Sequence, residues 1–183
     1  MYNAAFGFAG KVGVGASIGI EVVNSTAEAF VGAGARVDSY KTLEVAANTQ
    51  ERLYSGGFSG AGAIVGVNGS ITTAVLASDA LAYIDNDVDI NQDETVGGVL
   101  VDKRNTANPS LQNVMVHAEG DSKVITTSGG GGGGIVGVGL VGSTVTTTKT
   151  THASIGQRVD IDAGGNVTAV SYTHLTLPTT PYV

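Results

Sequence analysis

The sequence predicts an all-β fold, a parallel β-helix or β-solenoid built from repeats, and three observations support this prediction. One segment occurs three times along the chain and aligns without a gap. Within each copy the residues alternate with a period of two, which is typical of strands. Gly, Asn and Asp cluster between the apolar runs, where turns are expected. An antiparallel β-sandwich is the alternative, because an alternating run of eleven residues is long for one face of a solenoid.

The three copies of the repeat occupy residues 11–31, 64–84 and 135–155. The second copy begins 53 residues after the first, and the third begins 71 residues after the second. Each copy is followed by a Val-Asp pair and then by a second short apolar alternation. The pairs are Val37-Asp38, Val88-Asp89 and Val159-Asp160, and the alternations begin at Leu43, Val114 and Val167. The repeats therefore predict one structural unit that is used three times.

The alternation in the first copy divides its side chains into two faces. The apolar set, which we expect to face the core, is Val12, Val14, Ala16, Ile18, Ile20 and Val22. The opposite set, which we expect to face outward, is Gly13, Gly15, Ser17, Gly19 and Glu21. After residues 24–26 the apolar phase changes to Ala27, Ala29 and Val31. A corner or β-bulge at residues 24–26 would produce this change.

The middle unit is longer than the first by 18 residues, and most of the excess lies in residues 91–113. This segment is rich in charge and contains Pro109. We predict a loop or one additional coil here. Because insertions into solenoids concentrate on one face and often carry contacts, residues 91–113 are the candidate binding segment.

Turn residues recur along the chain and set the expected size of a coil. The predicted turns are residues 32–34, 55–57, 85–87, 128–134 and 164–166. No amphipathic helix is predicted. Three strands of about 5 residues with short turns use roughly 20 residues. We therefore expect two to three coils in each 53-residue unit. About eight coils at about 4.8 Å each would make a rod about 40 Å long.

Composition and charge exclude several classes of function. The chain has 9 Lys and Arg against 16 Asp and Glu, which gives a net charge of −7. A nucleic-acid partner is not expected, because phosphate recognition needs a basic surface. The chain has no Cys, so disulfides, thiol nucleophiles and thiolate zinc sites are excluded. No small-molecule cofactor is expected.

The sequence predicts no targeting or membrane-spanning segment, and its last residues form an unusual segment. Residues 1–10 do not have the charge and apolar pattern of a secretory signal, and the Gly-rich tract 129–142 is too short to span a bilayer. Residues 170–183 resemble the translated read-through of a sequencing adapter. We therefore expect residues 1–169 to be a solenoid fragment of a longer chain and residues 170–183 to be a non-native, artefactual tail. Tyr172 and His174 receive no functional role.

Two segments imitate ligand sites without matching them. The acidic turn Asp85 to Asp89 has Ile90 and Val96 where a calcium-binding EF-hand needs Gly and Glu. A looser calcium site at Asp85, Asp87 and Asp89 stays open as an alternative to a solvated turn. The run of Gly at residues 129–134 has no Lys-Ser/Thr ending for a phosphate loop, so we interpret it as a flexible connector.

The remaining polar residues do not form a recognisable reaction centre in the sequence. Thr144, Thr146, Thr148 and Thr150 share a strand face, as an ice-binding array would. The matching positions of the first copy, Ile20 and Val22 among them, do not continue this row. The remaining candidates are His117, His152, Arg36, Arg52, Arg104, Arg158, Asp38, Asp89 and Asp160. Neither histidine has an acid or nucleophile at a recognisable spacing, and the three Asp recur at equivalent repeat positions. We therefore expect a non-enzyme, with no catalytic, cofactor-binding or metal residue.

The end of each repeat copy carries a further motif. The first copy has Asn24, Thr26 and residues 29–32 (AFVG), the second has residues 82–84 (AYI), and the third has Ala153 and residues 155–156 (IG). This pattern resembles the repeats of large secreted bacterial filamentous adhesins of the filamentous haemagglutinin-like and leukotoxin types, over nearly all of residues 1–169.

The resemblance implies a function and a location. It implies that the chain is a structural and adhesive repeat segment of a virulence-associated adhesin. It also implies that this adhesin is extracellular or lies on the bacterial cell surface, at the outer membrane. Its partners would be a host-cell or matrix surface, glycan or protein, and the neighbouring repeats of the same polypeptide. The alternative is a carbohydrate-active β-helix, such as a phage tailspike or a polysaccharide lyase.

Overall fold

Long parallel strands dominate the computed structural model, which describes residues 2–177. The long strands are β1 (Tyr2–Phe8), β2 (Val12–Val31), β4 (Leu43–Gly62), β5 (Val65–Ile84), β9 (Val114–Gly133), β10 (Val136–Ile155) and β12 (Val167–Thr176). The short strands are β3 (Arg36–Val37), β6 (Asp89–Ile90), β7 (Glu94–Val96), β8 (Val99–Val101) and β11 (Asp160–Ile161). The described residues contain one 3₁₀ turn, Pro109–Leu111, and no helix that could cross a membrane.

Three parallel sheets form the faces of the solenoid. The front sheet has the order β1-β4-β9-β12, the back sheet β10-β5-β2, and the short sheet β11-β6-β3. A full coil runs along the front sheet, returns along the back sheet and closes through the short sheet. The predicted parallel β-solenoid is therefore confirmed. An antiparallel sandwich does not fit, since the antiparallel pairing in the part of the chain described is confined to β7 and β8.

The three sequence repeats stack in register in the back sheet. Val65 pairs with Val12 on one side and with Val136 on the other, and the pairing continues without a bulge to Ile84. In the front sheet, Val114 pairs with both Leu43 and Val167. The three predicted repeats therefore occupy the same strand position in three successive coils.

The predicted coil size is wrong, because each long strand covers far more than about 5 residues. Strands β2, β4, β5, β9 and β10 each contain 20 residues. One 53-residue unit is therefore a single coil, and the stack has three to four levels in place of eight. At about 3.3 Å per residue a full strand is about 66 Å long, while the stack is only about 15 Å high.

The insertion has the predicted bounds. Strand β6 ends at Ile90 and β9 begins at Val114, so the additional length of the middle unit is residues 91–113. In the first coil, residues 38–42 make the same connection. The insertion forms the β7–β8 hairpin and the 3₁₀ turn, so it is a structured loop and not an additional coil.

The broad end of each coil, next to the short sheet, holds an aliphatic core. The short sheet separates the two long sheets there and makes room for large side chains. The buried residues of this cluster are Val45, Ala47, Ala82, Ile84, Val88, Ile90, Val114, Val116 and Ala118. Burial of these side chains supplies most of the hydrophobic stabilisation at this end.

At the narrow end, next to the two-residue turn 63–64, the sheets approach so closely that only small side chains fit between them. A Cβ atom on Gly15 would overlap the carbonyl oxygen of Gly60, and one on Gly57 would lie 2.6 Å from the Ser70 hydroxyl. The prediction of the inward face is therefore wrong for β2. Gly13, Gly15 and Ser17 face inward, whereas Val12, Val14, Ile18, Ile20 and Val22 are 58–70% exposed.

The change of apolar phase at residues 24–26 has a different cause from the predicted corner. Strand β2 runs through this segment without a break. The interior itself changes along the strand, from Gly and Ser at the narrow end to Ala27, Ala29 and Val31 at the broad end. The inward face is continuous, and only the side chains that occupy it change.

Two predicted turns lie within strands. Residues 55–57 belong to β4, and residues 129–133 belong to β9, where they pair with Phe58–Gly62. The run of Gly is therefore not a flexible connector. On the outer face of the front sheet, aromatic rings cover some of these glycines, for example Tyr2 over Gly56 and Phe58 over Gly129. Such cover compensates for the side chain that glycine does not have.

The Val-Asp pairs occupy equivalent positions in the second and third coils, but the pair in the first coil does not. Asp89 pairs with Asp160 in the short sheet, but its partner in the first coil is Arg36. Val37 pairs with Ile90, so Asp38 is displaced by two residues from the position that the repeat predicted for it.

Strand β12 extends the front sheet into the segment that we predict to be non-native. Its pairing with β9 runs from Val167 to Thr176. Residues 178–183 of that segment lie outside the described residues. Its non-native origin stays a prediction.

Candidate functional site

The insertion at residues 91–113 presents an apolar hairpin at the broad end of the solenoid. Strands β7 and β8 are joined by Gly97 and Gly98, whose φ angles are +58° and +81°. Two consecutive positive φ values are typical of the tight turn that matches the twist of a hairpin. The side chains of Val96, Val99 and Leu100 are 56%, 65% and 66% exposed. Val96 and Val99 are cross-strand partners on one face of the hairpin and Leu100 lies on the other face, so the tip exposes apolar side chains on both of its faces.

The side chain of Gln112 holds the base of the insertion. Gln112 is fully buried, and its Oε1 accepts hydrogen bonds from the backbone N–H of Asn105 at 2.7 Å and of Gly164 at 3.1 Å. Its Nε2 donates to the carbonyl oxygens of Ser39 at 2.8 Å and Lys103 at 2.9 Å. One side chain thus ties the insertion to the coil before it and to the coil after it.

Two asparagines reinforce this attachment. The Asn105 side chain is buried; its Nδ2 donates to the Tyr40 carbonyl at 3.1 Å, and its Oδ1 accepts from the N–H of Asn108 at 2.9 Å. Asn113 accepts from the N–H of Asn166 at 2.9 Å. These bonds satisfy buried polar groups in fixed geometry, so the base of the insertion is rigid.

Two basic residues add charge contacts at the surface. The ammonium of Lys103 lies 3.2 Å from Asp38 and 3.4 Å from Glu94, and the Asp38 carboxylate raises the pKa of Lys103. Arg104 bonds Asp102 at 3.1 Å, which lowers the pKa of that carboxyl. Exposed pairs of this kind contribute little stability each, but the Lys103–Asp38 pair joins the insertion to the first coil.

A small groove lies beside the insertion. Its volume is about 330 Å³, and Arg104, Asn105, Thr106, Pro109, Asp162, Ala163 and Gly164 line it. The guanidinium of Arg104 is 3.5 Å from Asp162 across this groove. The hairpin tip and the groove together form a surface with an apolar part and a polar part.

The acidic turn after β5 is engaged in an ion pair. Asp87 accepts two hydrogen bonds from the guanidinium of Arg158, one of them at 2.7 Å, and Arg158 holds the pKa of Asp87 below its ordinary value. Asp85 accepts from the N–H of Asn86 at 2.7 Å. Over residues 2–177 the structure has no group of three or more potential metal ligands, so the looser calcium site receives no support.

A polar groove crosses the outer face of the front sheet. Its volume is about 460 Å³, and its lining includes Asn48, Gln50, Glu119, Asp121, Tyr172 and His174. His117 lies next to it, with Nε2 3.5 Å from the Glu119 carboxylate. The i, i+2 spacing of His117 and Glu119 places both side chains on one strand face, so the expectation that His117 has no acid nearby is wrong.

The other predicted candidates are dispersed. Arg36 donates to the Gln92 carbonyl at 2.7 Å, and Arg52 lies beside Lys123 on the front sheet. The four threonines from 144 to 150 do share the outer face of β10, beside Thr73 and Val75 of β5. The structure brings none of these groups into one site.

The insertion is visible in the sequence, but the residues that shape it are not. Gln112 and Asn105 were missed because an amide side chain in a polar segment gives no signal that it is buried. Gly97 followed by Gly98, between two short apolar runs, was a recognisable hairpin signal.

We expect Gln112→Ala to loosen the insertion without unfolding the solenoid. The substitution removes four hydrogen bonds and leaves buried backbone groups unpaired, at a cost of about 2 kcal/mol. Amide hydrogen exchange of residues 103–112 and of Gly164 should accelerate at least about tenfold. Gln50→Ala, on the exposed outer face of the front sheet, is the matched control and should change nothing. Unaltered protection of these amides would show that Gln112 is not the anchor.

Comparison with protein-family models, with curated proteins and with solved structures gave no match to this chain. Its function is therefore inferred from its own residues and their geometry.

Proposed function

We propose that this chain is a structural and adhesive repeat segment of a secreted or surface-exposed bacterial protein, and that the 91–113 insertion is its contact surface. The observation that carries the proposal is the exposed apolar hairpin tip on a rigid polar base. An unanchored loop would lose conformational entropy on binding, whereas this one is already ordered.

The solenoid provides the support for this surface. Coils stacked by parallel pairing in register can be extended by further coils at either end of the stack, so the fold suits a long repetitive shaft. The insertion leaves the coil between β6 and β9 and does not interrupt the pairing of either long sheet. A shaft can therefore carry such an insertion without loss of its own hydrogen bonds.

A carbohydrate-active β-helix is the second candidate, and the front-sheet groove is the observation that favours it. Glu119 and Asp121 are two carboxylates on one strand face, as sugar hydrolysis requires. One wall of the groove, however, consists of Tyr172 and His174, which lie in the segment that we predict to be non-native. The hairpin surface consists only of residues before that segment, so we prefer adhesion.

The test is attachment of the chain to cultured epithelial cells and to wells coated with collagen or laminin. The double substitution Val99→Ser and Leu100→Ser should lower binding at least about tenfold, since apolar anchors dominate such contacts. Ile135→Ser is the matched control, because Ile135 is 84% exposed but lies at the narrow end. The control should bind like the unmodified chain.

Two results would contradict the proposal. Equal loss in the control and the double variant would show non-specific hydrophobic adsorption. Release of reducing ends from acidic or neutral polysaccharides, lost on Glu119→Gln, would replace adhesion with catalysis at the front-sheet groove.

A further inference from the structure

The outer face of the back sheet carries a continuous apolar area at the narrow end. It consists of outward-facing aliphatic side chains from all three strands, and we call it the back-sheet apolar face. Its members are Val12, Val14, Ile18, Ile20, Val22, Val67, Ile71, Val136, Val138 and Leu140. Their exposed fractions run from 40% for Val67 to 76% for Leu140.

The strand register arranges these side chains as adjacent columns. Val12, Val65 and Val136 form one column, and Val14, Val67 and Val138 form the next. Further along the strands, Ile18 lies beside Ile71. The result is a flat surface of β-branched side chains, the kind of surface that packs against a second sheet in a β-sandwich.

The area of this face exceeds what a solitary protein normally leaves open. Each of the ten side chains exposes on the order of 100 Å², so that together they present on the order of 1,000 Å². The largest apolar patch on a typical monomer covers about 300–600 Å². A standard protein interface buries about 800 Å² on each partner. The face is therefore large enough for one stable interface.

Charge decides between the possible partners. The outward positions of β2, β5 and β10 include no Lys or Arg, but they include Glu28 and Asp79 toward the broad end. Because this face has no basic residue, it offers no group that could bind the headgroups of an anionic membrane. A second copy of the chain offers the complementary surface, because a twofold axis sets the same flat apolar area against itself.

We propose that the back-sheet apolar face packs against the same face of a second copy and forms a symmetric dimer. The two copies overlap at their narrow ends with antiparallel strands. This arrangement covers both apolar areas and keeps Glu28 and Asp79 of one copy away from those of the other. The dimer forms sideways to the coil stack, so the ends of the stack stay free.

Sedimentation equilibrium of the chain over a range of micromolar concentrations tests the proposal. The unmodified chain should reach a limiting mass of two copies. Ile18→Glu should weaken the dimer at least about tenfold, because it places a carboxylate in the apolar contact. Thr148→Glu, on the same outer face in its polar part, is the matched control and should dimerise normally. Far-UV circular dichroism confirms that both variants fold.

Site-specific cross-linking supplies a second readout, because the chain contains no Cys. A cysteine introduced by Ala16→Cys lies within the proposed contact and should give dimers with a short bis-maleimide. A cysteine introduced by Asn24→Cys lies outside it and should not. Because the Ala16 readout does not use Ile18→Glu, it tests the contact independently of how that variant folds.

Three outcomes would overturn the proposal. The first is a monomer at every concentration. The second is an open series of oligomers that persists in Ile18→Glu, which would indicate edge-to-edge pairing of terminal coils. The third is flotation of the chain with zwitterionic phosphatidylcholine vesicles that Ile18→Glu abolishes, which would identify a lipid surface as the partner.

Discussion

Gly15→Ala is expected to destabilise the chain by more than about 3 kcal/mol, the upper end of the usual cost of overpacking. A Cβ atom at this position would overlap the carbonyl oxygen of Gly60 and lie 3.0 Å from the Gly60 carbonyl carbon. Both contacts are with backbone, which cannot rotate away as a side chain can. The back and front sheets would have to separate, and the backbone of three stacked coils would move with them.

Urea unfolding followed by circular dichroism measures this effect. The midpoint for Gly15→Ala should fall by at least about 1 M, or the variant should not fold. Gly142→Ala is the matched control, because a Cβ on this strand glycine meets nothing within 4 Å. Alanine fits a strand at least as well as glycine does, so the control should keep its stability or gain slightly. Equal effects of the two substitutions would show that the sheets are not in close contact at the narrow end.

The repeat was predictable from sequence because stacking in register requires similar residues at equivalent positions. Val12, Val65 and Val136 align in the sequence and also pair in the sheet. The bounds of the insertion followed from the same alignment. The length of the strands did not, because Gly and Ser in a strand interior imitate turns.

The inward face was predicted wrongly because the usual rule places aliphatic side chains inside. That rule assumes sheets about 10 Å apart, and at the narrow end the backbones are closer. Gly13, Gly66 and Gly137 recur in all three copies, and this recurrence was the available signal for the close contact. Val and Ile occupy the outward positions because they favour strand geometry in either orientation.

The location of the candidate site was predictable from the sequence, but the contacts that shape it were not. An 18-residue difference between repeat units locates an insertion. It does not show that Gln112 is buried or that Lys103 contacts Asp38, since Gln112 bonds Ser39 and Gly164 of the neighbouring coils and Asp38 belongs to the first coil. Contacts of this kind depend on the coil stack and become visible only in three dimensions.

Glu51→Leu is expected to lower the free energy of unfolding by about 3 kcal/mol, because it breaks a polar network inside the solenoid. The Glu51 carboxylate is 8% exposed and accepts hydrogen bonds from Ser78 at 2.9 Å and Ser122 at 2.7 Å. Lys149 donates to Ser122 at 2.7 Å. Removing the carboxylate takes away the stronger of the two charges that favour the half-buried ammonium of Lys149, with Asp121 remaining, and takes the acceptor from the Ser78 and Ser122 hydroxyls.

A double-mutant cycle isolates this interaction. Lys149→Met alone leaves the buried carboxylate with its two hydroxyl donors and should cost less than Glu51→Leu. Glu51→Leu combined with Lys149→Met removes both charges and should recover most of the lost stability, since apolar replacements of buried pairs are often nearly neutral. Gln50→Leu, on the opposite face of the same strand, is the control and should change stability by less than about 0.5 kcal/mol. Additive losses in the double variant would show that the two charges do not interact.

The pH dependence of stability gives an independent readout on Lys149. Burial lowers the pKa of Lys149 below its ordinary value of 10.5, although the Glu51 and Asp121 carboxylates oppose the change. The folded chain therefore releases this proton at a lower pH than the unfolded chain does. Stability should rise with pH between the lowered pKa and 10.5, because the unfolded state holds more protons over that interval. The quantity to follow with pH is the difference in unfolding free energy between the unmodified chain and Lys149→Met. The tyrosines are present in both proteins, so their contribution cancels in this difference. If that difference stays constant with pH, burial does not disfavour the ammonium, and the network at Glu51 is open to water.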